Sequence, residues 1–392
     1  MKSIGIIAEY NPFHNGHAYQ LASIRQELAT DVIVVVMSGN FLQRGEPAVY
    51  DKWTRATWAL QSGADVVIEL PVAHSVQAAD YFAQGGIQIL DALGVDAINF
   101  GVESGDAADF TEAARWFITH EELLKVKLKD EFSGQSYPKR LSDIITELHP
   151  SFPLDLANPN NTLGLAYCKQ IIKQSSHLTV TTLERKDAAY HQSELDPQKH
   201  IASATAIRHA VASGKSVEQF VPSAVSKLLE KQPMTNWTSF WPLLQYQIMV
   251  LTEQQLASIY EMPDGLPPKL KRLAIEQSSF ETFIEELDQK HTTRVKMQRL
   301  CLYILLGLTN RAVVKVFEAP TPLHILGFSS VGRSFLNEQK HHLSHPLVTN
   351  INQQTASNWQ LDIRAGNIYR LGARQPVAKQ DFTRHPVIIS GE

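Results

Sequence analysis

The first hundred residues alternate short apolar runs with helical stretches, and that alternation most narrows the folds open to this chain. Ile4, Ile6 and Ile7 begin it. Ile33-Val34-Val35-Val36-Met37, Val66-Val67-Ile68-Glu69-Leu70-Pro71 and Ala97-Ile98-Asn99-Phe100-Gly101 follow, with a fifth run from Leu178 to Leu183. Continuous runs rich in β-branched residues suit strands buried on both faces, the condition of a parallel sheet covered by helices. The spacing predicts an α/β, doubly wound, Rossmann-like parallel sheet over residues 1–212. Ligands of such sheets bind beyond the carboxyl ends of the strands, where strand order reverses. The polar residues after each strand are therefore candidates: Asn11 to His17, Ser38-Gly39-Asn40, Glu69 and Gly101 to Ser104.

Asn11-Pro12 ends the first run, and His14-Asn15-Gly16-His17 follows at once. Two imidazoles three residues apart lie on one face of a helix start, whose free N–H groups favour anionic oxygens. Gly16 between them gives a phosphate close access to the backbone. His14, His17 and Gly16 are thus the candidate catalytic residues. A second candidate phosphate contact is Ser203, Thr205 and Arg208, two hydroxyls and a cation at a helix start, a pattern that also suits a plain N-cap with a surface arginine. Asp51 reads as an N-cap, and Lys52 and Arg55 lie together on the first turn of the helix it opens. Gly85-Gly86 interrupts a further helical pattern.

Beyond Ser216 the periodicity turns helical, so a mainly helical region follows the sheet: residues 216–320 as one unit and 321–392 as a small basic segment. Their cations cluster at Lys269, Lys271, Arg272, Lys290, His291, Arg294, Lys296, Arg299, Arg311 and Lys315, then at Arg333, Lys340, Arg364, Arg370, Arg374, Lys379 and Arg384. Such a distribution suits a phosphate backbone or an ordinary solvated surface. The net charge of -4 excludes a chain basic overall, as a protein coating nucleic acid would be.

Two cysteines, Cys168 and Cys301, are too few for a disulfide framework and read as core thiols. With no apolar run long enough for a membrane span and no signal-peptide pattern, a cytoplasmic protein is expected. Gly214-Lys215-Ser216 lacks the earlier glycine of a phosphate-binding loop, and His341, His342 and His345 read as a surface turn, so no metal site is expected.

The histidine turn resembles the HxGH signature of the nucleotidylyltransferase superfamily, and Ser203 to Arg208 resembles its second signature, with Ala202 and Ala204 departing from it. Ala8 to His17, Lys52-Trp53 with Arg55-Ala56, Gly63 to Pro71, Pro159-Asn160-Asn161-Thr162-Leu163-Gly164, Ser203 to Arg208 and Leu326-Gly327-Phe328 with Gly332-Arg333 together resemble the bacterial tRNA(Met) cytidine acetate ligases. The resemblance implies an enzyme that makes acetyladenylate from acetate and ATP, with Mg2+, and acetylates N4 of the wobble cytidine of elongator tRNA(Met). By the family's pattern the ATP contacts are Ile7, Ala8, Glu9, Tyr10, Asn11, Pro12, Phe13, His14, Asn15, Gly16, His17, Ala18, Tyr19, Gln20, Gly101, Asn161 and Arg185. Ser203, Thr205, Arg208, Lys52 and Arg55 are added as candidate phosphate contacts, and the C-terminal basic regions as contacts of tRNA. A small-molecule adenylyltransferase of cofactor biosynthesis is the alternative, and a nucleotide-binding or RNA-binding protein without catalysis a third reading.

Overall fold

The computed structural model describes residues 1–130, 137–185, 195–287, 293–343 and 347–390; Lys186, Lys290, His291 and His345 lie outside them. Five parallel strands form where the apolar runs predict: β1 (Ser3–Ala8), β2 (Val32–Ser38), β3 (Val66–Leu70), β4 (Ala97–Val102) and β5 (Thr179–Glu184). They are ordered β5-β4-β1-β2-β3. The chain leaves β1 towards β2 on one side and returns to pair β4 on the other, so strand order reverses between β1 and β4. The space beyond Ala8 and Val102 is the switch point of the sheet.

Alternation along β1 divides the core into two layers. Ile7 joins Val34, Val36, Ile98 and Phe100 beneath the helices Ala79–Ala92, Ala107–Thr119 and Pro159–Lys173. Ile4 and Ile6 join Ile33 and Val35 on the opposite face, under Leu21 and Ile24 of helix Asn15–Glu27 and Ile207 of helix Ala204–Ala212. Gly85-Gly86 does not break its helix, which runs from Ala79 to Ala92. The two glycines serve contact instead. A Cβ on Gly85 would lie 2.4 Å from the His74 ring and one on Gly86 2.4 Å from Ile7, so the glycine pair lets this helix lie close to His74 on one side and to β1 on the other.

Segment 321–392, expected as a separate unit, completes the same sheet. Strand β6 (Leu323–Ser329) pairs antiparallel with β3, and β7 (Leu347–Val348) and β8 (Val387–Ile389) run parallel to β6. What fastens this segment is ionic as well as apolar. Lys52 Nζ lies 2.7 Å from both carboxylate oxygens of Glu69 and 2.6 Å from Asp381 Oδ1, and Glu69 also meets His324 Nδ1 at 2.7 Å. All four groups are buried.

Residues 223–318 form a helical layer around Trp237, Phe240, Leu244, Leu300 and Ile304, and it shares its core with Phe41, Val72 and Val76 of the sheet unit. Trp237 Nε1 donates to the Gly45 carbonyl at 2.9 Å and the Tyr303 hydroxyl to that of Val76 at 2.8 Å. Gly45 has a φ of +77°, and a Cβ there would lie 2.3 Å from the Arg299 nitrogen. Only glycine fits this contact between loop and helix.

Candidate active site

A cavity of about 820 Å3 opens at the switch point between β1 and β4. Tyr10, with a φ of +52°, turns the chain out of β1, and the Asn11-Pro12 peptide is cis. His14 then caps helix Asn15–Glu27. Its Nδ1 accepts the Gly16 N–H at 3.1 Å, and His17 Nδ1 accepts the His14 N–H at 3.2 Å. This reciprocal capping has a chemical consequence. Each Nδ1 is an acceptor, so each neutral ring carries its proton on Nε2 and has an N–H to offer a ligand. The rings stack with centroids 3.6 Å apart, and Tyr10 and Phe13 pack against His17.

Burial lowers the His14 pKa to about 3, with the Arg185 and Arg208 charges acting the same way. Burial also holds His17 well below the usual value, followed by the effects of His14 and Arg185. Both are neutral donors near pH 7, and among the described residues the cationic charge on the wall comes from Arg44, Lys169, Arg185 and Arg208. Such an arrangement can bind a polyphosphate and stabilise charge developing on a leaving pyrophosphate.

The cavity wall includes Ile7, Ala8, Glu9, Tyr10, Asn11, His14, Gly16, His17, Tyr19, Gln20, Gly101, Arg185 and Arg208. Pro12, Phe13, Asn15 and Ala18 stand behind it. Asn15 instead donates to the carbonyls of His200 and Gln219, which ties the histidine helix to the following segment. Asn161 is buried, accepting the Glu103 N–H at 3.2 Å and donating to Ser104 Oγ and the Asp155 carbonyl at 3.1 Å. It shapes the loop after β4 without lining the cavity.

The added phosphate contacts divide. Arg208 lines the cavity, where it donates to the Asn11 carbonyl at 2.8 Å and fixes the turn. Ser203 caps its helix by accepting the Ala206 N–H, and the Thr205 hydroxyl accepts from Arg208, so neither reaches the wall. Lys52 and Arg55 are not brought there either. Lys52 is held by Glu69 and Asp381, and Arg55 donates to the carbonyls of Glu9, Ser38, Gly39 and Tyr50. Both cations are buried. They brace the strand ends because each finds all its acceptors inside the protein.

Sequence reading overlooks Asn99, Gln43, Arg44, Tyr167 and Lys169 on the wall. Asn99 accepts from Gln20 at 3.0 Å and donates to Thr181 Oγ1 at 3.1 Å. A lone amide within an otherwise apolar strand is the signal that marks it.

Three His/Cys/Asp/Glu ligand atoms come together once among the described residues, at Glu69, His324 and Asp381. The Lys52 ammonium already fills that centre. It is a buried ion network and not a metal cage.

A parallel sheet with two anchored imidazoles at its switch point, arginines facing them, defines a nucleotidyl transferase. Residues 1–384 match the family model described as HIGH Nucleotidyl Transferase. Among curated proteins, the tRNA(Met) cytidine acetate ligase of Lysinibacillus sphaericus is 37% identical over 396 residues, 98% of each chain. That of Bacillus subtilis is 37% identical over 391 residues, 96% of this chain and 94% of its own. Among solved structures, Thermotoga maritima TmcAL matches over 100% of both chains, at TM-score 0.90 and 29% identity without ligand. Its form bound with alpha-thio ATP matches at 0.87 and 28%. The chain belongs to the tRNA(Met) cytidine acetate ligase family.

Proposed function

We propose that this chain is an ATP-dependent ligase that forms acetyladenylate from acetate and ATP and acetylates N4 of the wobble cytidine of elongator tRNA(Met). The observation that carries the reading is the pair of histidines, each anchored through Nδ1, that line one cavity with Arg185 and Arg208 at the switch point of a chain from this family. An acetate oxygen attacks the α-phosphorus in line and pyrophosphate leaves. This step needs positioning and charge stabilisation more than a covalent nucleophile. His14 and His17 donate to the phosphates, Arg185 and Arg208 balance their charge, and Gly16 leaves room for them beside the backbone. Mg2+ would accompany ATP and offset the charge of its phosphates.

The acceptor tRNA is held through its phosphates by exposed cations of the C-terminal half, Lys296, Arg311, Lys315, Arg333, Lys340, Arg370, Arg374 and Lys379 among them. Others expected to serve there are engaged within the protein: Arg272 with Glu276, Arg294 with Glu281, and Arg364 with the carbonyls of Leu306 and Gly307. No described helix is long and apolar enough to cross a membrane, in keeping with work on tRNA in the cytoplasm.

The test is an incubation with ATP, Mg2+, labelled acetate and total bacterial tRNA, followed by nucleoside analysis. Label in N4-acetylcytidine, with pyrophosphate released, is the expected result. Pyrophosphate release only with a phosphorylated cofactor precursor in place of acetate would move the chain to the small-molecule adenylyltransferases.

A further inference from the structure

We propose that the acceptor base enters the cavity from its apolar side, against the helices Ala79–Ala92, Ala107–Thr119 and Pro159–Lys173, and that Glu9 takes the proton from its exocyclic amine. The proposal rests on the ligase reading above and assigns its second step. The cavity has two unlike sides, divided by the end of β1. On the side of the histidine turn stand the groups suited to phosphates, His14, His17 and Arg208. Across from them stand Phe82, Phe100, Phe117, Leu163, Ala166 and Tyr167. The lysine on this second side, Lys169, is paired with Asp80 at 2.7 Å. A flat, neutral pyrimidine taken out of its stack suits aromatic and aliphatic walls of this kind. The Tyr167 hydroxyl is buried with no hydrogen-bond partner among the described residues, and it stands among the aromatic residues of a wall whose rim also carries Asp80, Asn160, Thr162 and Lys169.

The amine of cytosine shares its lone pair with the ring and is a weak nucleophile. As its nitrogen bonds to the acetyl carbon, the bond from that carbon to the phosphate oxygen breaks, AMP leaves with the electron pair, and one N–H proton must go to a base. The histidines cannot receive it. Their Nδ1 atoms already accept backbone N–H groups and their Nε2 atoms carry hydrogen. Burial keeps the phenols of Tyr10 and Tyr167 far above neutrality.

Among the described residues, the cavity's carboxylates are Glu9, Asp80 and Glu184. Asp80 is bound to Lys169, and Glu184 is an exposed residue at the end of β5. Glu9 lies where the two sides meet, directly after β1, with Oε1 accepting the Gln43 N–H at 2.7 Å. Burial raises its pKa, Glu46 adds to this, and the Gln43 N–H, Arg55 and Arg208 oppose it. Its charge in turn acts on Tyr167. A carboxylate shifted towards neutrality is a better match to proton transfer near pH 7.

Supplying acetyladenylate isolates this step, and single-turnover transfer to tRNA is followed across pH. In wild type the rate should rise with pH as Glu9 ionises and then level. Glu9→Gln, which keeps an acceptor for the Gln43 N–H, should slow transfer ~100-fold or more and remove the rising limb. Glu9→Asp should transfer at an intermediate rate with the limb retained, which separates loss of the base from loss of the fold. Transfer by Glu9→Gln at the wild-type rate, or with the limb intact, overturns the assignment.

A tRNA carrying 4-thiouridine at the acceptor position, irradiated with the full chain, should crosslink within Ala79–Ala92, Ala107–Thr119 or Pro159–Lys173. Crosslinks confined to the histidine turn overturn the route of entry. If wild type itself transfers nothing from acetyladenylate to tRNA, the ligase reading fails, and fails separately from Glu9.

Discussion

His14 and His17 work as a pair because each is anchored by a backbone N–H of the turn that carries it, and this makes Gly16 as important as the rings. A Cβ on Gly16 would lie 2.9 Å from His14 Cε1 and 3.0 Å from Nδ1. The Gly16→Ala variant must therefore displace the His14 ring, while its backbone needs no unusual φ and alanine favours the helix. Acetate-dependent exchange of pyrophosphate into ATP should fall at least ~10-fold with the melting midpoint little changed; His14→Ala and His17→Ala should each cost ~100-fold or more. A Gly16→Ala enzyme with full exchange activity would detach ring placement from catalysis. This much of the site was legible in sequence, because strand, turn and helix are contiguous and the spacing alone places the imidazoles. Lys52 and Arg55 were not. Two cations on a first helical turn look free until their acceptors are known, and the partner of Lys52, Asp381, lies 329 residues further on.

The same long reach explains what was missed among the elements. Strands β1 to β5 announce themselves as continuous apolar runs, whereas β6 is a mixed stretch, Leu323-His324-Ile325-Leu326-Gly327-Phe328, and β7 and β8 have only two and three residues. Such short edges are defined by what they pair with. His324 sits buried within a strand because Glu69 of β3 lies beside it, and Asp381 reaches Lys52 from the segment leading into β8. The carboxylate of Glu69 is held down to about 2 despite burial, chiefly by Lys52 and by the hydrogen bond from His324. Asp362, which accepts the Val72 N–H at 2.7 Å, is raised to about 8 by burial and by the charge of Glu69. Removing the Lys52 ammonium should therefore expose a cluster of like charges. Lys52→Met is expected to cost about 3–5 kcal/mol in the urea midpoint. The triple change Lys52→Met, Glu69→Gln, Asp381→Asn should recover most of that loss, since it removes the charges together. Equal losses in the single and triple variants would show that packing, and not charge, fastens the C-terminal segment.

Across the whole molecule, three buried imidazoles, His14, His17 and His74, couple folding to pH. His14 is lowered to about 3, His74 to about 4, and His17 well below its ordinary value. All three are neutral in the fold and take up protons on unfolding once the pH is below about 6.5. Stability rises with pH wherever the unfolded chain binds more protons, so these groups weaken the fold as pH falls from 6.5 towards 4. Asp362 and Glu9, both raised, act in the opposite sense, being protonated in the fold and ionised when unfolded across part of that window. His74 offers the cleanest separation of these effects because it lies outside the cavity wall. Its Nδ1 is 3.3 Å from the Tyr81 carbonyl, its ring meets Phe317 and the face of Gly85, and its Nε2 has no partner. Among the described residues no carboxylate is paired with it. His74→Phe keeps the ring's bulk and removes the titration, so stability measured by urea titration at several pH values should decline less steeply than in wild type. The two curves should differ by on the order of 3 kcal/mol between pH 6.5 and 4. Parallel curves would mean that His74 is protonated within the fold, with its ring turned to a partner other than the Tyr81 carbonyl.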